Sequence, residues 1–209
     1  MSAKSYINKI MLVNKKEFIL LIIAALGWGL SGVILKIVEM EALTIAFYRS
    51  AIADIFLSLC SIRSGLLKVN WYSTYTAVAY ALAVIFLVVA TKETTAPNAI
   101  ILHYSAPAFV FLLAIPMLRE IPEKRNWLVL ICTMLGVLCI SSQGFDGALK
   151  GIVYGLLSGV GFALLTILLR LYRDHNPVHT TAFNNIFVAL FLLPWVWDSL
   201  WLAPREMGL

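Results

Sequence analysis

"ALTIAFYRSAIADIF", residues 42–56, is an apolar run that carries Arg49 and Asp54 in its interior. What those two charges mean depends on the solvent around the segment. The chain is 61% hydrophobic and 13% charged, with a mean hydropathy of +0.90. Soluble domains hold about a quarter charged residues, and long apolar stretches point to membrane-spanning helices. The run therefore belongs to an integral membrane protein, and its charges lie at membrane depth.

Working outward, each crossing needs about 20 apolar residues. Seven spans follow, at 18–37, 42–62, 71–91, 98–118, 127–143, 148–171 and 180–197, the fifth being the shortest. A signal peptide is the rival reading of the first span, because Lys4, Lys9, Lys15 and Lys16 precede it. Its apolar stretch outruns the core of about 7–15 residues that such peptides have, so it is read as a permanent helix. Connections such as 38–41 and 145–147 are short. They leave no soluble domain and make successive helices antiparallel neighbours.

The excess of 16 basic over 11 acidic residues could suggest nucleic acid. A polytopic membrane protein instead gathers Lys and Arg in its cytoplasmic loops, and no nucleic-acid partner is expected. With a cytoplasmic N-terminus, 11 of the 16 cations fall inside, among them Arg63, Lys68, Arg119, Lys124, Arg125, Arg170 and Arg173. Only Lys36, Lys92, Lys150 and Arg205 fall outside. Cys60, Cys132 and Cys139 sit in apolar surroundings without metal or redox spacing and read as buried thiols.

The chain repeats itself. "LIIAALGWGLSGVILK" at 21–36 lies over "GLLSGVGFALLTILLR" at 155–170, pairing Gly27 with Gly161, Trp28 with Phe162 and Lys36 with Arg170. "TIAF" from Thr44 then matches "TTAF" from Thr180. The offset covers five spans, and an odd number of crossings inverts the second copy, as in the inverted repeats of secondary transporters.

"WGLSGVILK" followed by "AFYR", then "APNAIILHYSAPAFVFLLAIPMLRE" and "LGVLCI", resemble the first half of an EamA-type permease of the drug/metabolite transporter superfamily. The matched pieces are Trp28-Gly29, Lys36 closing the first helix, Arg49 early in the second, Pro107 in the fourth and Glu120 after it. The resemblance implies ten helices in two inverted five-helix repeats, cytoplasmic termini and a central cavity that passes small organic solutes. Here the second repeat stops after two spans. The expected organisation is a cytoplasmic segment at 1–17, a complete first repeat at 18–143 and the start of a second at 148–209. That is an all-α polytopic membrane protein of about seven helices, set in a bacterial inner membrane. It is expected to be an incomplete carrier, competent to insert but not to transport alone, or one that recruits a second copy as a homodimer.

Arg49 lies about 10 Å and Asp54 about 18 Å below the outer hydrocarbon edge. Ionised groups there cost from about 2.5 kcal/mol upward, so they face the bundle interior or a wet cavity. Their five-residue separation puts them on different faces, so each needs a partner elsewhere. Arg49 either attracts an anionic group near the outer vestibule or snorkels and binds helix-end carbonyls. Asp54 either serves the pathway, or snorkels inward or pairs with the loop cations. His103 and Tyr104 stand one turn before Pro107, which frees a backbone carbonyl; His103 either couples a proton or makes an interhelical hydrogen bond. Trp28 and Ser31 wall a solute site or simply pack. Asn184 and Asn185 bind solute or bridge helices. Lys36, Arg170 and Glu120 close helix ends, and Trp195, Trp197 and Trp201 form an interfacial belt.

Gly147, Gly151, Gly155 and Gly159 recur one turn apart, the spacing that lets helix backbones touch in lipid. Whether that contact slides during transport or stays fixed is open at this level. No HExxH, GxSxG, P-loop or clustered His and Cys ligands occur, so neither an enzyme nor a metal or cofactor site is expected. The composition and motifs favour a carrier over a membrane enzyme, with an inert or structural product as the rival.

The basic asymmetry places 119–125 in the cytoplasm and 92–96 outside. A cysteine at Thr94 should react with an impermeant reagent from the outer side; labelling from the inner side alone would reverse the topology.

Overall fold

The computed structural model describes residues 15–61, 70–118, 127–128, 130–132, 134–136, 149–173 and 175–206. Within them run α1 (Lys15–Ile37), α2 (Ala42–Ser61), α3 (Trp71–Glu93), α4 (Ala96–His103), α5 (Ala106–Leu118), α6 (Leu149–Leu171) and α7 (Pro177–Glu206). The described residues of 127–136, in the fifth expected span, are helical as well. Among the described residues five segments are long and apolar enough to cross a membrane: Ala42–Leu59, Trp71–Glu93, Ala96–Leu118, Leu149–Leu171 and Pro177–Ser199. The protein is an all-α polytopic membrane protein.

Local chemistry sets where these helices start. Thr95 accepts a hydrogen bond from the Asn98 amide at 3.3 Å, and Pro97 occupies the first turn of α4, where no intrahelical donor is needed. Asn176 Oδ1 likewise accepts from the Val178 amide at 2.9 Å, with Pro177 opening α7. The last helix runs to Glu206 rather than ending at 197 as the hydropathy suggested.

The fourth expected span is two helices, not one. Pro107 has no N–H to offer the His103 carbonyl, so the regular ladder cannot pass through this point. The chain tightens instead: the Ser105 amide bonds Leu102 O at 3.1 Å and the Ala108 amide bonds Ser105 O at 2.9 Å. The break falls at Tyr104 and Ser105, between α4 and α5.

Packing is organised around α3 and α6, which lie along each other, while α2 lies along α7 and α4 and α5 rest on α6. The buried cluster Leu35, Ile45, Ala46, Ala81, Val88, Val188 and Leu192 joins α1, α2, α3 and α7. Alanine supplies much of the inner face of α3, with Ala77, Ala79, Ala81, Ala83 and Ala90 all buried. Small faces let helices approach closely where lipid withdraws the hydrophobic drive.

The glycines of α6 take this furthest. A Cβ at Gly161 would stand 2.6 Å from the Ala83 nitrogen, and one at Gly155 2.7 Å from Leu102 Cβ. At Gly151 it would meet Thr94 Cβ at 2.9 Å, and at Gly159 the Ser105 hydroxyl at 2.9 Å. So Gly151, Gly155 and Gly159 lie against the fourth span and its entry, and Gly161 against α3. Gly27, the sequence counterpart of Gly161, meets nothing within 4 Å, nor does Gly29. Gly147 lies outside the described residues.

Two expectations change. Cys132 is an exposed free thiol rather than a buried one, because the lipid-facing side of a membrane helix is as apolar as its core and surrounding sequence cannot tell them apart. Cys139 lies outside the described residues, as does the side chain of Cys60. Thr94 is buried against Gly151, so the exposed Glu93 beside it is the better labelling position. The loops holding Arg63, Lys68 and 119–125 lie outside the described residues.

Gly161→Ala should lower stability in detergent by roughly 1–3 kcal/mol, since its methyl meets backbone that cannot move aside. Gly27→Ala should be neutral or slightly stabilising, by up to about 1 kcal/mol from helix propensity. Thermal unfolding of both variants checks the contrast; equal losses would contradict the packing described.

Candidate functional site

The break in the fourth span holds the most consequential polar contacts. His103 is only 3% exposed, and its Nδ1 lies 2.8 Å from Ser158 Oγ. Ser158 in turn donates to the Ala83 carbonyl at 2.7 Å. A hydroxyl has one hydrogen, so Ser158 must accept from His103, which fixes the Nδ1–H tautomer. The other nitrogen, Nε2, is buried without a partner. Phe162 covers the ring, with centroids 4.9 Å apart. Three elements thus meet at one imidazole: α4 carries it, α6 orients it and α3 supplies the terminal acceptor.

Arg49 lies on α2 and is half-buried. It forms no ion pair or hydrogen bond with a described residue. Asp54 is also half-buried and accepts from Ser58 Oγ at 3.0 Å, one turn on in the same helix. The two charges make no ion pair with each other. Tyr104, expected beside His103, is 52% exposed and turns outward from the break, its ring centroid 6.0 Å from the imidazole. Ser31 is half-buried on α1. Trp28 and Lys36 lie on the same helix, but their side chains fall outside the described residues, as does Glu120 altogether.

Asn184 and Asn185 are buried and tie α7 to α3. Thr76 Oγ1 donates to Asn184 Oδ1 at 3.1 Å, and Tyr80 OH to Asn185 Oδ1 at 3.1 Å. Asn185 Nδ2 donates to Thr181 O at 2.8 Å. Of their two readings this geometry describes helix bridging. A further bridge joins Thr44 to Ser199 at 2.9 Å, between α2 and α7. Lys92 donates to the Val38 carbonyl and pins the connection between α1 and α2.

Sequence reasoning passed over Ser158, Thr76 and Tyr80. A hydroxyl inside a glycine stripe was a signal for the first, since it sits on the face that touches another helix. It also passed over a cavity of about 660 Å³ lined by Asn70, Trp71, Tyr72, Thr74, Tyr172 and His175. There Tyr72 stacks on His175 at 3.9 Å and Tyr172 at 4.8 Å, and lies 3.3 Å, hydroxyl to hydroxyl, from Thr180. This cavity opens at helix ends and does not include Arg49 or His103. Among the described residues no group of three or more His, Cys, Asp or Glu could hold a metal.

Residues 15–142 match the model of the EamA-like transporter family. The chain is 24% identical over 190 residues to a protein of Bacillus subtilis (strain 168) named "Uncharacterized transporter YxxF", covering 84% of this chain and 60% of that protein. It is also 24% identical over 205 residues to the "Pseudopaline exporter CntI" of Pseudomonas aeruginosa, covering 93% of this chain and 72% of that protein. The chain thus spans only part of the length of both curated relatives. No solved structure matches it.

Ser158→Ala should destabilise the protein by about 1–2 kcal/mol, because it strands the His103 N–H and the Ala83 carbonyl together. Ser50→Ala should cost nothing or stabilise, since the Ser50 hydroxyl is fully buried and already unpartnered. Melting temperatures of the two variants test this; a larger loss at Ser50 would refute the assignment of partners.

Proposed function

The chain belongs to the EamA-like transporter family, and from that premise we propose that it carries a small organic solute across a bacterial inner membrane by alternating access, its N-terminus cytoplasmic. The observation that carries this reading is the presence in one bundle of Arg49, a half-buried charge with no ion partner among the described residues, and of the buried and half-satisfied His103. Groups of that kind are expensive inside a bundle and are retained where a solute or ion passes. The broken fourth span supports it too, because irregular backbone at membrane depth is tolerated where it lines a pathway or is sealed by protein. Arg49 and His103 are the pathway residues of this reading, with Ser31 and Trp28 on the facing α1. Asn184 and Asn185 hold α3 to α7 rather than touching solute. The similarity to a protein named as an exporter favours outward movement.

A second reading is favoured by one observation. Gly27 and Gly29 meet nothing within 4 Å, and Leu26, Leu30 and Ile34 beside them are exposed, while their counterpart Gly161 is tightly packed. On this reading the bundle becomes competent only when a further helix or a second copy covers α1.

Reconstitution into vesicles, with flux of labelled organic solutes, tests both. Arg49→Ala should reduce flux by at least about 10-fold at equal protein level, from loss of a charge-assisted contact. The exposed Lys150→Ala should change little. Lys92→Ala is a poorer control, since it releases Val38. Flux that appears only when further helices are supplied, or only in cross-linked pairs, selects the second reading; equal flux from Arg49→Ala and the parent refutes the role of Arg49.

A further inference from the structure

The cavity of about 660 Å³ at the helix ends lies apart from Arg49 and His103, neither of which lines it. Its floor is Tyr72, buried in the first turn of α3 and held 3.3 Å, hydroxyl to hydroxyl, from Thr180 in the first turn of α7. Its wall comes from the connection between α6 and α7. There the Tyr172 carbonyl accepts from both the backbone amide and the Nδ1–H of His175, each at 3.1 Å, which sets the imidazole against the Tyr72 ring. Trp71, 83% exposed, and Tyr172 complete the aromatic lining, while Asn70 and Thr74 add uncharged polar side chains. None of the residues lining the cavity is Lys, Arg, Asp or Glu, and Arg173, exposed on the same connection, is not among them.

The ring geometry decides between ligand classes. A flat aromatic ligand is held best between parallel faces, but Tyr72 is inclined by 34° to Tyr172 and by 46° to His175, and Tyr172 by 79° to His175. The three centroids stand only 3.9 to 6.0 Å apart, so no further ring fits between them. Inclined faces without a fixed charge among them instead offer π density to a compact cation. Depth narrows the choice further. Trp71 and Tyr72 open one crossing and Tyr172 follows directly on another, so the cavity sits at the edge of the hydrocarbon, where lipid headgroups lie. From it Trp71, Tyr75 and Val78, at i, i+4 and i+7, run along α3 as one exposed face that is apolar apart from the tyrosine hydroxyl. We propose that the cavity binds a zwitterionic phospholipid, its ammonium group held against the rings of Trp71, Tyr72 and Tyr172 and its acyl chain laid along Tyr75 and Val78. A soluble ammonium compound would meet the same rings and leave that face unused. A lipid bound there ties the start of α3 to the connection between α6 and α7, the two pieces that Tyr72 already joins.

Native mass spectrometry of the 209-residue chain in detergent, titrated with phosphatidylethanolamine or phosphatidylglycerol of identical acyl chains, tests this, because only the first lipid carries an ammonium group. Phosphatidylethanolamine should bind about 5-fold more tightly, a ratio that a partly exposed cation–π contact supports. Tyr172→Leu and Trp71→Leu keep apolar surface and remove a π face; each should melt like the parent and bring the ratio to within about 2-fold of unity. Trp195→Leu, at an exposed tryptophan outside the cavity, should leave the ratio unchanged. Choline should displace the bound phosphatidylethanolamine, and its neutral carbon isostere should not. Equal binding of the two lipids, a preference that survives both substitutions, one lost equally in Trp195→Leu, or displacement by the neutral isostere would each overturn the proposal. Choline bound by a chain that shows no lipid preference would overturn it too, leaving a site for soluble ammonium compounds. None of these outcomes depends on solute flux, so the transport reading stands or falls separately.

Discussion

Backbone contact between α6 and its neighbours is the interaction on which the rest of the structure depends. Lipid gives apolar side chains no reason to prefer each other over the bilayer, so helices must gain from close packing and from polar links. Gly161 lets α6 press onto Ala83 of α3, and Gly155 and Gly159 let it press onto Leu102 and Ser105 in the broken fourth span. That approach is what brings Ser158 within reach of both the Ala83 carbonyl and the His103 ring. A bulkier residue at any of these glycines would separate the three elements that meet at the imidazole.

The second half of the architecture is held by amides and hydroxyls rather than glycine. Thr76 with Asn184 and Tyr80 with Asn185 join α3 to α7, and Thr44 with Ser199 joins α2 to α7. Each such bond contributes on the order of 1 kcal/mol in a membrane, less than the cost of leaving its partners bare. They therefore fix which faces meet more than they add net stability.

The polar inventory of the interior divides by satisfaction. Asn184, Asn185, Ser158 and Asp54 each have a hydrogen-bond partner and account for themselves as structure. Among the described residues Arg49 has none, and the Nε2 of His103, like Ser50 Oγ and His179 Nε2, is buried without one. The aromatic cavity around Tyr72 lies at the helix ends and combines the buried Tyr72 with the exposed rings of Trp71, Tyr172 and His175.

The sequence by itself determined the class, the family resemblance and the positions of five spans, because about 20 apolar residues are needed wherever a helix crosses and composition reports that directly. It also marked Arg49 and His103, since a charge or imidazole in an apolar run is visible without coordinates. It could not show that the fourth span breaks at Tyr104 and Ser105, as Pro107 is compatible with a kink or a full interruption. Nor could it separate Asn185, which bridges, from His103, which is left half-satisfied, because satisfaction depends on residues some 55 to 105 positions away, such as Ser158 and Tyr80. Cys132 fails for a related reason: in a bilayer the inner and outer faces of a helix are equally apolar, so hydropathy locates the helix but not its buried side. Only tertiary packing decided which polar groups found partners, and so which of them remain free to bind something else.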